Sequence, residues 1–181
     1  MKVLMLNGSF NPDGSTSAGL EIMAKTFTEE GVETEIVTVG GKPIADCIAC
    51  GKCAELKRCV FANDGVNEFA AKAKEADGIV FSMPVYWYSI PAQIKGVIDK
   101  LYSFFIGGKA EQVAGKSAAI ITCCEEADPS VMDGVKIPME RTAALLQWNM
   151  VGEVLVPGVN EAGAIANTDG CAQAAALADK F

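Results

Sequence analysis

The run Val3 to Leu6 is apolar throughout, begins almost at the first residue and stops at Asn7-Gly8. A short run without polar alternation reads as a strand covered on both faces. Such a strand needs helices on either side, which an open sheet with one wet face does not supply. The loop after it holds Gly8, Ser9, Asn11, Pro12, Asp13 and Gly14. Ser15, Thr16 and Ser17 then read as the N-cap and first turn of a helix reaching about Glu30. This order aims free N–H groups and the positive end of a helix dipole at whatever the loop holds.

No lysine lies in this loop, so it is not a Walker loop, and the glycine spacing is not that of a dinucleotide fingerprint. Two readings remain: a site for a terminal phosphate monoester held by many hydrogen bonds, or a tight turn before a capped helix.

Four more strand patterns follow at 33–39, 78–82, 117–122 and 150–156. Helical patterns separate them at 64–76, 91–105 and 129–147, with a break expected at Pro138, and a terminal helix is expected over 169–180. Strands alternating with helices give an α/β fold, a doubly wound parallel sheet of five strands in the order 2-1-3-4-5 with helices on both faces. One domain over 1–181 is expected, with a cysteine-bearing insertion at about 41–63. In that order ligands bind beyond the carboxyl ends of the strands, at the switch between strands one and three. The segments after strands one, three and four should therefore converge. They are the hydroxyl loop, the loop Pro84, Val85, Tyr86, Trp87 and Tyr88, and the segment Thr122, Cys123, Cys124 and Glu125. A phosphate site beside an aromatic shelf is what FMN requires. The bland alternative for the aromatic residues is packing or a subunit contact.

The net charge of −8 and the absence of a basic run argue against a nucleic-acid partner. No apolar stretch reaches membrane-spanning length, so no membrane partner is expected. Lys2 leads straight into a strand rather than a signal region, so a cytoplasmic location is expected. With no histidine in the chain, a metal must be held by thiolate or carboxylate, and no imidazole serves acid–base work. Seven cysteines in a reducing compartment point to metal or redox chemistry. Cys47, Cys50, Cys53 and Cys59 stand at spacings that can enclose one metal centre. Three states stay open there: a [4Fe–4S] cluster, a zinc ion or free thiols. Cys123 and Cys124 read as small buried hydrophobes or flavin contacts, and Cys171 as inert.

Two stretches carry a family resemblance. Asn7-Gly-Ser-Phe-Asn-Pro-Asp-Gly-Ser-Thr16 resembles the phosphate loop of the NADPH-dependent FMN reductase group of the flavodoxin-like superfamily, and residues 82–99 resemble its isoalloxazine loop and following helix. The cysteine spacing is similar to that of the iron–sulfur flavoprotein subfamily. Phe10 and Asn11 depart from the proline and arginine common there. The resemblance implies phosphate binding by Ser9, Ser15, Thr16 and Ser17, a ring along Pro84 to Tyr88, and residues 122–125 on its other side; Asn11, in the same loop, is taken as a further candidate for the phosphate. It also implies FMN, NAD(P)H as donor, a homodimer or homotetramer, and no catalytic side chain, because the flavin carries the chemistry. Electrons would pass from NAD(P)H or a protein donor to a small-molecule or protein acceptor. The alternative is an FMN/[4Fe–4S] electron carrier with no substrate turnover. A third reading is a non-redox module with a zinc-stapled loop.

Overall fold

The computed structural model describes residues 1–61 and 63–181; Ala62, inside the expected insertion, lies outside the described residues. Five strands, β1 (Lys2–Asn7), β2 (Glu33–Thr38), β3 (Gly78–Pro84), β4 (Ser117–Cys123) and β5 (Asn149–Val156), form one sheet in the order β2-β1-β3-β4-β5. Every pairing is parallel. The expected doubly wound order is therefore the observed one. Among the described residues, no helix is long and apolar enough to cross a membrane.

The helices are α1 (Ser15–Glu29), α2 (Cys53–Leu56), α3 (Val66–Glu75), α4 (Ala92–Lys100), α5 (Tyr102–Ile106), α6 (Asp133–Leu146) and α7 (Gly170–Ala178). Side chains alternate across a strand, so β1 supplies both layers. Val3 and Met5 pack with Leu20, Met23 and Phe27 of α1 and Leu177 of α7. Leu4 and Leu6 pack with Phe69 of α3, Ile94 and Val97 of α4, and Val135 and Met139 of α6. A strand that must satisfy two apolar layers can have no polar face, which is why β1 and β3 read as continuous apolar runs.

Three local expectations are corrected. Gly14, not Ser15, is the N-cap of α1. The helix expected over 91–105 divides at Leu101 into α4 and α5. Pro138 does not end α6. A proline removes the N–H that would bond the carbonyl four residues earlier; here that carbonyl, of Gly134, accepts from the Ser89 hydroxyl at 3.5 Å. The cysteine segment also holds a short helix, α2, that the residue pattern does not announce.

Candidate functional site

At the carboxyl edge of the sheet the chain orders its own hydroxyl loop. Asn7 Oδ1 accepts from the Ser9 N–H at 3.0 Å, and Asn7 Nδ2 donates to Ser17 Oγ at 3.2 Å. Ser17 Oγ in turn donates to the Asn11 carbonyl at 2.9 Å. Ser9 Oγ donates to the same carbonyl at 3.0 Å and accepts from the Asn11 N–H at 3.2 Å. The chain leaving β2 closes over the loop so tightly that a Cβ on Gly40 would lie 1.9 Å from the Ser9 carbonyl oxygen.

The start of α1 is left open. Its N-cap makes no side-chain hydrogen bond. Among the described residues, no acceptor is found for the N–H groups of Ser15, Thr16 and Ser17. Buried donors without partners are costly. Three at one helix start, with the dipole behind them, fit an anion.

This open end faces a cavity of about 320 Å3. Its walls include Ser9, Asn11, Ser15 and Thr16 from the first loop, Pro84, Val85 and Tyr86 from the second, and Cys123, Cys124 and Glu125 from the third. The three segments expected to converge do converge. Four expected residues lie elsewhere. The Ser17 hydroxyl is spent inside its own loop. Thr122 shares the face of Ile120 and points to the α4–α6 layer, its buried hydroxyl without a partner among the described residues. Trp87 and Tyr88 line a neighbouring cavity of about 240 Å3 with Cys124, Glu125 and Glu126.

The aromatic loop is a tight turn. Tyr86 and Ser89 exchange hydrogen bonds of 3.0 and 3.1 Å. Trp87 and Tyr88 between them have φ of 49° and 61°, the two positive values of a type I′ turn. Gly134 of α6 fits against it, since a Cβ there would meet the Tyr88 carbonyl oxygen at 1.7 Å. A hydrogen bond to Glu126 raises the Tyr88 phenol above its ordinary value. Trp87 is 93% exposed, and Tyr86 stacks on Phe10 with centroids 6.5 Å apart. The departure at Phe10 thus supplies an aromatic partner to the turn.

Burial pushes the Cys123 thiol up to about 11, against a hydrogen bond with Thr16 that lowers it. Burial likewise raises Cys124, whose Sγ donates to the Glu126 carbonyl at 3.3 Å. Both residues line the 320 Å3 cavity, and burial favours the neutral thiol at each.

The residue pattern gave no sign of the segment after β5. Val159, Asn160, Glu161 and Ala162 complete the 320 Å3 cavity. Ser15 Oγ donates to the Glu161 carbonyl and accepts from the Ile165 N–H, each at 3.2 Å. The available signal was position: this segment leaves the same sheet edge as the other three.

A larger cavity, about 670 Å3, lies elsewhere. Cys47, Cys50, Cys53 and Cys59 all line it, with apolar wall from Ile48, Val60, Phe61 and Ile106. The cysteine segment rests on α4 and α5: a Cβ on Gly96 would meet Ile44 at 2.9 Å, and one on Gly107 would meet the Cys53 carbonyl at 3.5 Å. Asn67 of α3 clamps Cys59, accepting from its N–H at 3.0 Å and donating to its carbonyl at 3.1 Å. Among the described residues, no three His, Cys, Asp or Glu side chains converge on a single-ion site. The two cavities share no lining residue.

Residues 1–132 match the family model for NADPH-dependent FMN reductase. The chain belongs to the NADPH-dependent FMN reductase family. An iron–sulfur flavoprotein of Methanocaldococcus jannaschii is 35% identical over 120 residues, which cover 66% of this chain and 62% of that protein. The chain spans only about half the length of other curated relatives it matches. Among solved structures, an azoreductase from Bacillus anthracis superposes with a TM-score of 0.76 at 17% identity, covering 100% of both chains. A second, an FMN-dependent NADH-azoreductase from the same species in complex with FMN, gives 0.71 at 13% identity, covering 99% of this chain and 98% of that one. At these identities the structural likeness speaks for the fold alone.

Proposed function

We propose that this family member is an FMN-binding oxidoreductase, built on one domain, that moves electrons from NAD(P)H or a protein donor to an acceptor. The observation that carries the reading is the convergence of an uncapped, donor-rich helix start with the aromatic turn and the segment after β4 around one cavity. In this reading the N–H groups of residues 15–17 and the Thr16 hydroxyl hold the phosphate. Ser9 and Asn11 keep the loop in shape, and Ser15 ties it to residues 161–165. Pro84, Val85 and Tyr86 lie along the ring, with Trp87 and Tyr88 on its outer side. Cys123, Cys124 and Glu125 form the remaining wall, and Thr122 supports that segment from behind. Bound there, FMN supplies two-electron chemistry with a reduced nicotinamide; the chain supplies orientation and a dry wall.

The second cavity supports a [4Fe–4S] cluster on Cys47, Cys50, Cys53 and Cys59. Four thiols line one volume of about 670 Å3, and three of them stand at the two-residue spacing used by [4Fe–4S] motifs, whereas zinc more often takes two separated pairs. The names of the iron–sulfur flavoprotein relatives favour the same reading. Exposed Ile48, Leu56, Tyr102, Phe105 and Trp87 suit a homo-oligomer.

The test of the flavin site is equilibrium dialysis of FMN against the parent and a Ser15→Ala/Thr16→Ala variant. Charge-assisted hydrogen bonds are worth about 1.5–3 kcal/mol each. Thr16 loses such a bond directly and Ser15 loses its buttress, so affinity should fall at least tenfold. Equal retention of FMN by both proteins would place the phosphate elsewhere.

A further inference from the structure

One charged pair stands apart from these assignments. The Lys100 side chain, at the end of α4, is 1% exposed, and that of Asp64, just before α3, is 7% exposed. The two form an ion pair. Lys100 Nζ also stands 5.0 Å from the centroid of the Phe61 ring. Asp64 Oδ1 accepts from the Val66 N–H at 3.2 Å, which fixes the carboxylate at the head of α3. Lys100 and Phe61 belong to the wall of the cysteine cavity, whereas Asp64 does not. The Lys100 ammonium thus lies beside a wall residue, Phe61, while its carboxylate partner is outside the cavity lining.

Burying two charges is costly, and apolar side chains of similar volume would fill the space without that cost. The position of the pair gives it an effect that apolar residues lack. The other charged wall residue is Asp99, whose carboxylate pairs with Lys95. Removed from solvent, the Lys100 charge is weakly screened and acts strongly over a few ångströms.

We propose that Lys100, held in place by Asp64, is a positioning residue that raises the reduction potential of the thiolate-bound centre in the cysteine cavity. This rests on the four-cysteine reading. A centre held by four thiolates becomes more negative when it takes an electron. The ammonium beside the wall residue Phe61 favours that state, and the carboxylate of Asp64, a residue outside the lining, opposes it less.

The signs give the test. The parent, Lys100→Met, Asp64→Asn, the double variant and Lys100→Arg are reconstituted anaerobically with iron and sulfide. Iron and sulfide content is measured first, then the midpoint potential by titration followed by electron paramagnetic resonance. Asp64→Asn keeps an acceptor for the Val66 N–H and should shift the potential upward. Lys100→Met should shift it downward. The double variant should fall below the parent but above Lys100→Met, and Lys100→Arg should stay near the parent. Because the double variant leaves no lone buried charge, it decides the matter even where a single variant fails to fold. If the parent takes up no iron and sulfide, the four-cysteine reading fails and this proposal with it. If the centre assembles but the double variant matches the parent, or both single variants move the same way, the pair is structural and the proposal alone is overturned.

Discussion

Residues 8–17 and residues 44–61 are both loops that leave strands at the carboxyl edge of the sheet, yet the chain finishes one and leaves the other open. In the first, Ser9, Ser15, Thr16 and Ser17 are buried, and side chains of Asn7, Ser9 and Ser17 bind the loop to itself. What stays unspent is a set of backbone donors at the start of α1. In the second, Cys47 and Cys50 are exposed, and Cys53 and Cys59 are only partly covered. One turn of helix and the Asn67 clamp give it local order. The first site is preorganised, so its occupant meets a finished surface and little ordering cost. The second has four thiols spread around a volume, and an occupant held by them would complete the loop's own cohesion.

The largest expected effect breaks the comparison at its open side. Cys50→Ser removes one of four thiolates from a loop with few other ties. After anaerobic reconstitution the parent should hold close to four irons and four sulfides per chain, as a cubane requires, and the variant should lose most of both. Equal uptake by the two proteins would return the loop to free thiols. FMN affinity should be unchanged in the variant, because the two cavities share no wall residue.

Two glycines sharpen the same contrast. Gly40→Ala sets a Cβ against the Ser9 carbonyl oxygen, backbone against backbone, so the finished loop must move. A cost of about 3 kcal/mol is expected, with a loss of FMN affinity. Gly51, in the cysteine loop, has φ of 68°, and a Cβ there would meet nothing within 4 Å. Gly51→Ala should cost only the left-handed backbone penalty, about 1 kcal/mol. Urea unfolding measures both, and equal costs would remove the distinction between a finished and an open loop.

How far the residues foretold this follows from what each element owes to its neighbours. β1 and β3 were legible because burial on both faces forces an unbroken apolar run. The convergence of three loops was legible because the strand order dictates it. Ser15 was misplaced as a cap because its hydroxyl is claimed by residues 161 and 165, a tertiary demand with no local trace. Pro138 misled because the carbonyl it frees is taken up by Ser89, 45 positions away in sequence. Thr122 could have been placed better: strand alternation puts it opposite Cys123, so the two cannot face the same cavity. The spacing singled out the four cysteines as a group, but the cavity wall that α4 and α5 give them depends on packing.

A smaller effect probes the buried thiol wall. Burial raises Cys123 from 9.0 to about 11. Between those values the unfolded chain has lost the proton that the folded chain keeps, so this group reduces stability as pH rises from 9 toward 11. Cys123→Ala should remove that dependence, making the parent-minus-variant stability fall across the interval by about 1–3 kcal/mol. A flat difference would mean that the thiol is not held neutral by its surroundings. At a pH of about 8, just below the ordinary thiol range, iodoacetamide should label Cys47 and Cys50 well before Cys123. That tests the exposure contrast between the two sites with the same residue type.

The smallest effect concerns Trp87, at the outer rim of the finished site. Its side chain is 93% exposed, so packing contributes little, while its φ of 49° is one that a side-chain-bearing residue adopts at a cost. Type I′ turns usually place Asn, Asp or Gly here. Trp87→Gly relieves the strain, and the extra freedom of glycine in the unfolded chain offsets part of the gain. A net rise in stability of about 0.5–1 kcal/mol is expected in urea unfolding. If the proposed flavin site is correct, a strained, exposed indole beside it serves contact with the ligand rather than the fold. The same variant should therefore bind FMN more weakly, or alter the absorption of the bound flavin, while becoming more stable. Lower stability together with an unchanged flavin spectrum would make Trp87 a structural residue of the turn and move the aromatic face of the site to Tyr86 and Phe10.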